Sequence, residues 1–405
     1  MRVMYIHQYY LTPEEGGAIR SYHLSQGMAA AGLKVEMITA HNGQNYTIRW
    51  DGKVKVHLLP VPYDNRYNTL QRLWSFYSFV RKAKSLIGKE DQDLPDLLYI
   101  TSTPLSTGEI GIWAKRKWGV PYVFEVRDLW PEAPIQVKNI RSRLLKNCLY
   151  RWEYKIYKEA VEMVALSPGI QKYIRGLLPE KCVSMVPNFS DTGSFNKKER
   201  NSSDRDFKAQ PMTFMYAGAI GYVNGLQQFL ELAEQAKHHH KNWRFRLMGN
   251  GNRLDDLKRE AKARKLDKLE FLPFGDKKKV KELMNEADLA YISFLPLPVL
   301  AHSSPNKFFD ALAMGMPVIV NFKGWIWDLV KGNGIGYYHD CSNHESLIAA
   351  IESLEKSPEK WDEMSRRARQ LAETSFEKQT MVSRILDILE GCKSSLASGS
   401  PGFVS

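Results

Sequence analysis

Short apolar segments alternate with amphipathic stretches along this chain, and that alternation restricts the fold more than any other feature. Seven segments precede residue 190, at Arg2–His7, Lys34–Thr39, Val54–Leu59, Leu97–Ile100, Tyr122–Val126, Met163–Leu166 and Val183–Val186. Six more follow residue 210, at Met212–Ala217, Arg244–Met248, Leu269–Leu272, Leu289–Ile292, Val318–Val320 and Gly336–Tyr338. Buried strands that alternate with helices predict parallel α/β sheets.

The stretch between the two halves is polar and predicts a linker at 191–210. We therefore expect an α/β protein with two Rossmann-like domains, 1–190 and 211–375, that face a central cleft. The chain after residue 345 is mostly helical. Its Ser- and Gly-rich end, 394–405, is expected to be disordered.

The composition of the 405 residues excludes several classes of protein. The sequence has no apolar run of the ~20 residues that span a bilayer, and its first apolar segment is too short for a secretory signal. The four cysteines are widely separated, which predicts reduced thiols in the cytoplasm and no metal site.

The formal net charge of +12 is unevenly distributed. Residues 1–190 hold 26 Lys and Arg against 17 Asp and Glu, a net of +9. A basic half predicts an anionic partner such as a nucleic acid or a membrane surface. Because no nucleic-acid-binding signature is present, we expect no nucleic-acid partner.

The segment 303–320 joins a helix to a strand and gathers polar chemistry at the helix start. Ser304 is a good N-cap, and Pro305 and Asn306 open the first turn. Lys307 adds a cation there, and Asp310 follows one turn later. A helix start favours an anion, so the pattern fits a nucleotide sugar, with diphosphate at the helix and ribose on the acid. The alternative is a capped helix that only packs on a sheet.

That segment resembles the nucleotide-sugar site of the family-4 retaining glycosyltransferases. Their usual pattern has a Glu, seven residues, then a second Glu followed by Ala-x-Ala-x-Gly-x-Pro-Val. Here His302 stands in the first slot and Asp310 in the second. The Ser-Pro-Asn-Lys-x-Phe version is similar to the WbuB-type subgroup of bacterial surface-polysaccharide assembly. The resemblance implies a GT-B architecture, with the donor bound mostly by the second domain and the acceptor by the first.

The loop after the first strand holds Gly16 and Gly17, which let a ligand approach the backbone closely, and Arg20 follows about one helical turn later. In the resembling family this loop approaches the donor diphosphate. A plain turn is the alternative. The loop lacks the GxGxxG pattern of a dinucleotide-dependent dehydrogenase.

The string Glu-Val-Arg-Asp-Leu-Trp-Pro-Glu, 125–132, also matches the resembling subgroup. It places Arg127 and Asp128 at the carboxyl end of a strand, where α/β proteins bind ligands. The resemblance implies a catalytic position for both, with Asp128 holding the acceptor hydroxyl. Many family members have a His near Arg127. The alternative is an Arg–Asp pair that braces the loop.

The glycine loop that opens the second half contains Gly218 and Asn224. Family members usually place an Arg and a Lys here to neutralise the diphosphate, and this chain has neither. Lys307 and Arg253 are therefore the candidate cations. The turn at Phe274 resembles the family's base-binding turn, whose backbone groups contact uracil, although a core position for the Phe ring is an alternative.

The stretch 66–89 combines apolar side chains at helical spacing with six cations, which is typical of a helix on an anionic membrane. The alternative is that its apolar stripe packs on the sheet.

The resemblance implies transfer, with retention, of a sugar, expected to be an N-acetylated amino sugar, from a UDP-sugar to a polyprenyl-diphosphate-linked saccharide at the cytoplasmic membrane face. Since no Asp-x-Asp motif ends a strand, we expect no metal and no cofactor besides the donor. It also implies a C-terminal helix, about 376–390, that crosses back onto the first domain. A GT-B-type UDP-sugar epimerase and a basic binding module without enzymatic activity remain open.

Overall fold

The computed structural model describes residues 1–17, 19–64, 66–89, 93–195, 207 and 210–397. The chain divides into two compact units. The first unit comprises Met1–Thr12, Ala18–Pro187 and Gln379–Ser405, and the second comprises Pro13–Gly17 and Asn188–Lys378. Most of the predicted linker and the predicted disordered tail from 398 on lie outside the described residues.

The first unit is built on an eight-stranded sheet. Its strands are β1 (Arg2–Ile6), β2 (Lys34–His41), β3 (Thr47–Asp51), β4 (Val54–Pro60), β5 (Leu97–Thr101), β6 (Tyr122–Val126), β7 (Glu162–Ala165) and β8 (Val183–Met185). The strand order is β3-β4-β2-β1-β5-β6-β7-β8, and every pair is parallel except β3 with β4. The order reverses at β1, and ligand sites of α/β sheets lie at the carboxyl ends of strands near such a reversal.

Helices connect these strands, and several have clear local start and stop signals. They are α1 (Arg20–Ala30), α2 (Thr69–Gly88), α3 (Gly108–Trp118), α4 (Glu132–Val137), α5 (Arg143–Glu159) and α6 (Pro168–Leu177). Asn68 and Gln71 form a reciprocal capping box at the start of α2. Ser167 caps α6 with Pro168 in its first turn, and Gly119 ends α3 in the left-handed region.

The second unit contains a six-stranded sheet whose neighbouring strands are all parallel. Its strands are β9 (Thr213–Ala217), β10 (Arg244–Met248), β11 (Leu269–Leu272), β12 (Leu289–Ile292), β13 (Val318–Val320) and β14 (Gly336–Tyr338), in the order β11-β10-β9-β12-β13-β14. Its helices are α7 (Gln227–His238), α8 (Leu254–Ala263), α9 (Lys277–Asn285), α10 (Asn306–Ala313), α11 (Trp325–Asn333), α12 (His344–Glu355) and α13 (Pro358–Ser375).

Alternate residues of the second sheet enter two different cores, because successive side chains of a strand point to opposite faces. On β9, Phe214 and Tyr216 join one buried cluster, whereas Met215 joins the other. On β13, Ile319 belongs to the first cluster, and Val318 belongs to the second. Burial on both faces explains why the sequence shows continuous apolar runs here. The predicted α/β class with parallel sheets is confirmed.

The last helix, α14 (Lys378–Ala397), belongs from Gln379 onward to the first unit. A Cβ at Gly27 would lie 2.3 Å from Val382 Cγ1, so α1 has no room for a side chain where α14 crosses it. Among the described residues, we find no helix that is both long enough and apolar enough to span a bilayer.

Candidate functional site

The start of α10 is held by a loop segment from before the predicted linker. Asn188 donates its backbone N–H to Ser304 Oγ at 3.2 Å, and its side-chain amide to the Ser304 carbonyl. The sequence predicted Ser304 as the N-cap. Instead Pro305 occupies that position, α10 begins at Asn306, and no side chain of the described residues caps the helix. The prediction was one residue early because the Ser304 hydroxyl is bound by Asn188. The uncapped first turn suits an anion.

Lys307 extends from this first turn into an aromatic environment. Its Nζ donates to Tyr216 Oη at 2.5 Å and lies 4.0 Å from the Tyr216 ring centroid and 5.8 Å from that of Phe294. Tyr216 Oη in turn donates to the Ala219 carbonyl at 2.5 Å. Burial lowers the pKa of Lys307 from 10.5 to about 7. In the part of the chain that the structure describes, no carboxylate pairs with this ammonium group.

The glycine loop after β9 lies against Lys307. Gly218 has a φ of 149°, and a Cβ there would lie 3.1 Å from Lys307 Cε. Asn224 was predicted to contact the donor, but its Oδ1 accepts the Gly221 N–H at 3.1 Å, and the residue is buried. The structure therefore uses Asn224 to shape the loop, whereas Gly218 and Lys307 are brought together as the sequence suggested.

Arg253, the other candidate cation, is the N-cap residue of α8. Its backbone N–H donates to the Ile220 carbonyl at 3.1 Å, which joins it to the same glycine loop. Its Nε lies 3.3 Å from Asp256 Oδ2, so a neighbouring carboxylate already offsets its charge. Lys307 pairs with no carboxylate among the described residues, which makes it the stronger candidate cation for an anionic ligand.

Asp310 forms an ion pair that the sequence did not predict. Lys277, the first residue of α9, places its Nζ 2.6 Å from Asp310 Oδ2, and both side chains are mostly buried. Lys277 also lies over the Phe195 ring, at 5.4 Å. No local signal links two residues that lie 33 positions apart.

The first glycine loop approaches the predicted base-binding turn. A Cβ at Gly16, where φ is +76°, would lie 3.1 Å from Phe274 Cζ and 3.3 Å from the Gly275 carbonyl oxygen. Gly17 also has a positive φ, of +78°. Phe274 is 56% exposed, so the alternative of a core position is excluded. The exposed ring and the glycine loop fit a surface for a planar ligand, and the base contact stays a prediction.

Arg20 was predicted to contact the donor, but the structure places it in the core of the first unit. Its guanidinium is bound to Glu125, with Nη2 2.9 Å from Oε2, and donates to the carbonyls of Pro187 and Val186. Its side chain is 1% exposed. Arg20 therefore ties α1 to β6 and to the end of the first unit, because a buried arginine must satisfy its donors internally.

Arg127 and Asp128 follow β6, as predicted, and a buried histidine joins them. Arg127 Nη1 donates to His7 Nε2 at 3.4 Å. Burial, followed by the charge of Arg127, lowers the pKa of His7 well below its usual value, so the ring is neutral and its Nδ1–H donates to Ser21 Oγ at 2.8 Å. The sequence analysis missed His7, which directly follows β1 at the sheet reversal.

Asp128 is less acidic than an exposed aspartate. Burial raises the pKa of Asp128. The charge of Arg127 and a hydrogen bond from the Thr103 hydroxyl, 3.5 Å away, lower it and offset part of that increase. His302, predicted for the first slot of the donor motif, ends a short 3₁₀ helix, and its burial lowers its pKa. The roles of both side chains stay predictions. Among the described residues, no three His, Cys, Asp or Glu side chains form a metal-binding group.

The predicted membrane helix, α2, buries one face and leaves four of its large apolar side chains largely in solvent. Its buried face consists of Ser75, Phe79, Ala83 and Ile87. The alternative interpretation packs the apolar stripe of this helix on the sheet, but four of its side chains are largely exposed. The exposed fractions are 78% for Leu70, 54% for Leu73, 69% for Trp74 and 58% for Tyr77. The alternative prediction, that this stripe packs on the sheet, is therefore wrong for these four residues.

Two sequence families match the chain, one in each half. Residues 15–188 match a family described as the glycosyl transferase 4-like domain, and residues 197–371 match glycosyl transferases group 1. A curated relative from Haemophilus influenzae, described as an uncharacterized glycosyltransferase, is 23% identical over 170 residues. That match covers 41% of this chain and 46% of the relative, so the chain matches less than half of the relative's length.

Solved structures share the fold over nearly the whole chain. Sucrose-phosphate synthase from Thermosynechococcus elongatus has a TM-score of 0.79 at 14% identity and covers 97% of this chain and 99% of its own. Anabaena HepE in complex with UDP-glucose has a TM-score of 0.67 at 15% identity, with 96% and 100% covered. WaaG, a glycosyltransferase involved in lipopolysaccharide biosynthesis, has a TM-score of 0.66 at 14% identity, with 95% and 99% covered. The two family matches, which together span most of the sequence, and the shared fold show that this chain belongs to the glycosyltransferases of GT-B architecture.

Proposed function

We propose that this protein is a retaining glycosyltransferase that moves a sugar from a UDP-sugar to a hydroxyl group of a lipid-linked saccharide. We infer an N-acetylated amino sugar and the assembly of a bacterial surface polysaccharide, because the motifs 125–132 and 303–308 resemble the WbuB-type subgroup. HepE, which shares the fold, was solved with UDP-glucose, and WaaG acts in lipopolysaccharide biosynthesis. These relatives support a UDP-sugar donor and a glycolipid acceptor.

The observation that carries the proposal is the cation at the start of α10. Lys307 is desolvated among aromatic rings, lies under Gly218 and pairs with no carboxylate of the described residues. Such a group gains most from a bound anion, because a diphosphate would supply the negative charge that its surroundings lack. Asp310, one turn further along, offers a carboxylate for ribose hydroxyls, and Phe274 offers an exposed ring near the base.

The proposed reaction needs little chemistry from the protein beyond charge stabilisation. The bond between the anomeric carbon and the UDP oxygen breaks, and UDP leaves with the electron pair. The acceptor oxygen bonds to the same face of that carbon, and its proton passes to the leaving phosphate oxygen. Lys307 and the first-turn amides of α10 stabilise the charge that develops on UDP. This arrangement differs from the two carboxylates of retaining glycosidases, and we propose that no metal takes part.

We assign the acceptor to the first unit, where Arg127, Asp128 and His7 lie together. The raised pKa of Asp128 makes it a better hydrogen-bond acceptor for a hydroxyl group than a fully solvated aspartate. His7 holds the Arg127 guanidinium at 3.4 Å. We propose that this group binds and orients the acceptor hydroxyl.

We further propose that the protein binds peripherally to the cytoplasmic face of an anionic membrane through α2. The exposed side chains of Trp74 and Tyr77 and the net charge of +9 on residues 1–190 support this proposal. Electrostatic attraction falls off within a Debye length, so binding to anionic vesicles should weaken as salt rises. Salt-independent sedimentation, or equal sedimentation of a Trp74→Ala/Tyr77→Ala variant, would argue against it.

The decisive experiment combines calorimetry with UDP and product analysis. The protein is incubated with a panel of UDP-sugars and a polyprenyl-diphosphate-linked sugar, and the new linkage is analysed by NMR. We expect transfer that requires the acceptor, retains the anomeric configuration and continues in EDTA. Isomerised or hydrolysed UDP-sugar without an acceptor would indicate an epimerase, and absence of UDP binding would indicate a binding module. Transfer to a soluble sugar phosphate, in preference to the lipid-linked sugar, would contradict the proposed acceptor.

A further inference from the structure

A buried row of hydroxyl groups connects Glu125 to His7 in the first unit. Thr101, the last residue of β5, places its Oγ1 3.1 Å from Glu125 Oε1 and 3.3 Å from Tyr5 Oη. Ser21, in the first turn of α1, is hydrogen-bonded to Tyr5, and its Oγ lies 2.8 Å from His7 Nδ1. All five residues are at most 3% exposed, so their polar groups depend on one another for hydrogen bonds.

The charge of Glu125 gives this row a direction. Burial disfavours that charge, but the pKa of Glu125 is below its usual value because Arg20 and Arg127 supply opposite charge, so the group is a carboxylate. A hydroxyl group has one proton to donate. Thr101 therefore donates to the carboxylate, which is the stronger acceptor, and the Thr101 oxygen accepts from Tyr5.

The remaining donors follow from this direction. Burial raises the pKa of Tyr5, so the phenol keeps its proton, directs it at Thr101 and accepts the proton of Ser21. Ser21 Oγ is then left as an acceptor, and the His7 ring can donate to it only in the Nδ1–H form. That tautomer leaves a lone pair on Nε2, to which Arg127 Nη1 donates at 3.4 Å. The hydrogen bond at one ring nitrogen thus selects the state of the other.

The opposite tautomer would set two donors against each other. With its proton on Nε2, the His7 ring would point an N–H group at the Arg127 guanidinium, which has donors and no acceptor. The Ser21 proton would also have to turn away from Tyr5 and toward Nδ1. Both changes act on Arg127, a side chain that we assign to the acceptor, so its position depends on the tautomer.

We propose that Ser21 is a positioning residue for Arg127, which it holds in place through the tautomer of His7. The hydroxyl row transmits the influence of the Glu125 carboxylate to Ser21. The proposal rests on the function proposed above and adds to the acceptor site a group that touches no substrate. It differs from a packing role for Ser21, because a side chain that only fills space does not determine which ring nitrogen carries the proton.

The tautomer of His7 can be measured without any substrate. Long-range proton–nitrogen NMR spectra of the full chain show which ring nitrogen is protonated, and a His7→Gln spectrum assigns the signal among the ten histidines. One test variant is Ser21→Ala, which removes the acceptor for Nδ1–H. The other is Tyr5→Phe, which frees the Ser21 proton to donate to Nδ1. The matched control, Ser25→Ala, lies about one turn further along α1 and removes a buried hydroxyl that donates to the Tyr22 carbonyl.

We expect the Nδ1–H form in the parent and the control, and a shift toward the Nε2–H form in both test variants. The kcat/KM for the lipid-linked acceptor of the panel experiment should fall about tenfold or more in the test variants, as loss of a hydrogen bond to a charged group predicts. UDP affinity, measured by calorimetry, should not change, because α10 belongs to the second unit. A thermal unfolding curve is recorded for each variant, and Tyr5→Phe, which removes one oxygen atom, keeps the test if Ser21→Ala does not fold.

Three results of the NMR experiment would overturn the proposal: the Nε2–H form in the parent, an unchanged ring in the folded test variants, or an equal shift in the control. A tautomer shift without loss of acceptor turnover would also overturn it, since Arg127 would then not depend on the ring. If no acceptor of the panel is used, the proposed function fails, and the ring tautomer in the variants alone decides whether Ser21 controls His7.

Discussion

Lys277 Nζ and Asp310 Oδ2 lie 2.6 Å apart, and this ion pair joins the first turn of α9 to the second turn of α10. Both side chains are mostly buried, at 15% and 17% exposure, so the pair is screened less than a surface salt bridge. Asp310 is the carboxylate that we assign to the donor ribose. Lys277 fixes the position of the Asp310 carboxylate, which suits an acceptor for two ribose hydroxyls.

Replacing Asp310 with Asn should weaken UDP binding by ~1.5–3 kcal/mol, because a charge-assisted hydrogen bond to ribose is lost. Lys277→Met should weaken UDP binding less, since it removes the support of Asp310 and no direct ligand contact. Calorimetry on both single variants and the double variant measures the coupling between the two side chains. Additive effects, or unchanged UDP affinity in Asp310→Asn, would contradict the assignment.

Replacing Lys307 with Ala should reduce turnover by about a hundredfold or more, in the range seen when a preorganised charge stabiliser is removed. Arg253→Ala is the matched control, because it removes the other candidate cation, whose charge Asp256 already offsets. Steady-state kinetics with the UDP-sugar that the panel experiment selects provide the measurement. If the Arg253 variant is crippled and the Lys307 variant is normal, the diphosphate belongs to Arg253.

UDP binding should take up a proton above neutral pH. Burial lowers the pKa of Lys307 to about 7, so the free protein carries a mostly neutral amine at pH 8. A bound diphosphate favours the ammonium form and raises that pKa again, so close to one proton per UDP should be taken up at pH 8 and almost none at pH 6. Calorimetry in buffers of different ionisation enthalpy gives this number directly. A Lys307→Met variant should take up none, and equal uptake in that variant would refute the attribution.

The strand pattern was predictable from sequence because both sheets are buried on both faces. Each of the predicted apolar segments forms a strand, with ends that differ by two residues at most. Strand β3 was missed, because its five residues are mostly exposed and it pairs antiparallel at a sheet edge. A signal was present, since Asp51-Gly52 between alternating side chains is typical of a hairpin turn.

The site was predictable only where the chemistry is local. The cation, the carboxylate and the start of α10 lie within a few residues, so the sequence could group them, although it predicted a Ser304 cap that the structure replaces with Pro305. Contacts such as Arg20 with Glu125, 105 positions apart, depend on how the elements pack, so a glycine-loop arginine could be mistaken for a ligand contact. The same reason explains why His7 and Lys277 were not identified.

A buried carboxyl group outside the site should make the stability of the protein pH-dependent. Glu153 on α5 is 1% exposed, accepts a hydrogen bond from Tyr173 Oη at 2.8 Å, and has a pKa raised by burial from 4.5 to about 7. The folded state therefore holds this proton over a range in which the unfolded state loses it. The free energy of unfolding should fall, by at most about 3 kcal/mol from this group, as pH rises from about 4.5 to about 7.

Glu153→Gln should remove that part of the pH dependence, because the amide cannot ionise. Denaturant unfolding of the parent and the variant at several pH values is the measurement. The variant should be more stable than the parent at pH 8 and similar to it at pH 4. Parallel pH profiles would show that Glu153 is ionised in the folded protein at neutral pH.

The most direct test of the central claim is an experimental structure of the full chain with UDP bound. We predict that diphosphate oxygens lie within hydrogen-bond distance of Lys307 Nζ and of the first-turn amides of α10, that the ribose hydroxyls contact the Asp310 carboxylate, and that Lys307 has left Tyr216 Oη. A diphosphate bound at Arg253, with Lys307 still on Tyr216 and the ribose away from Asp310, would contradict the account.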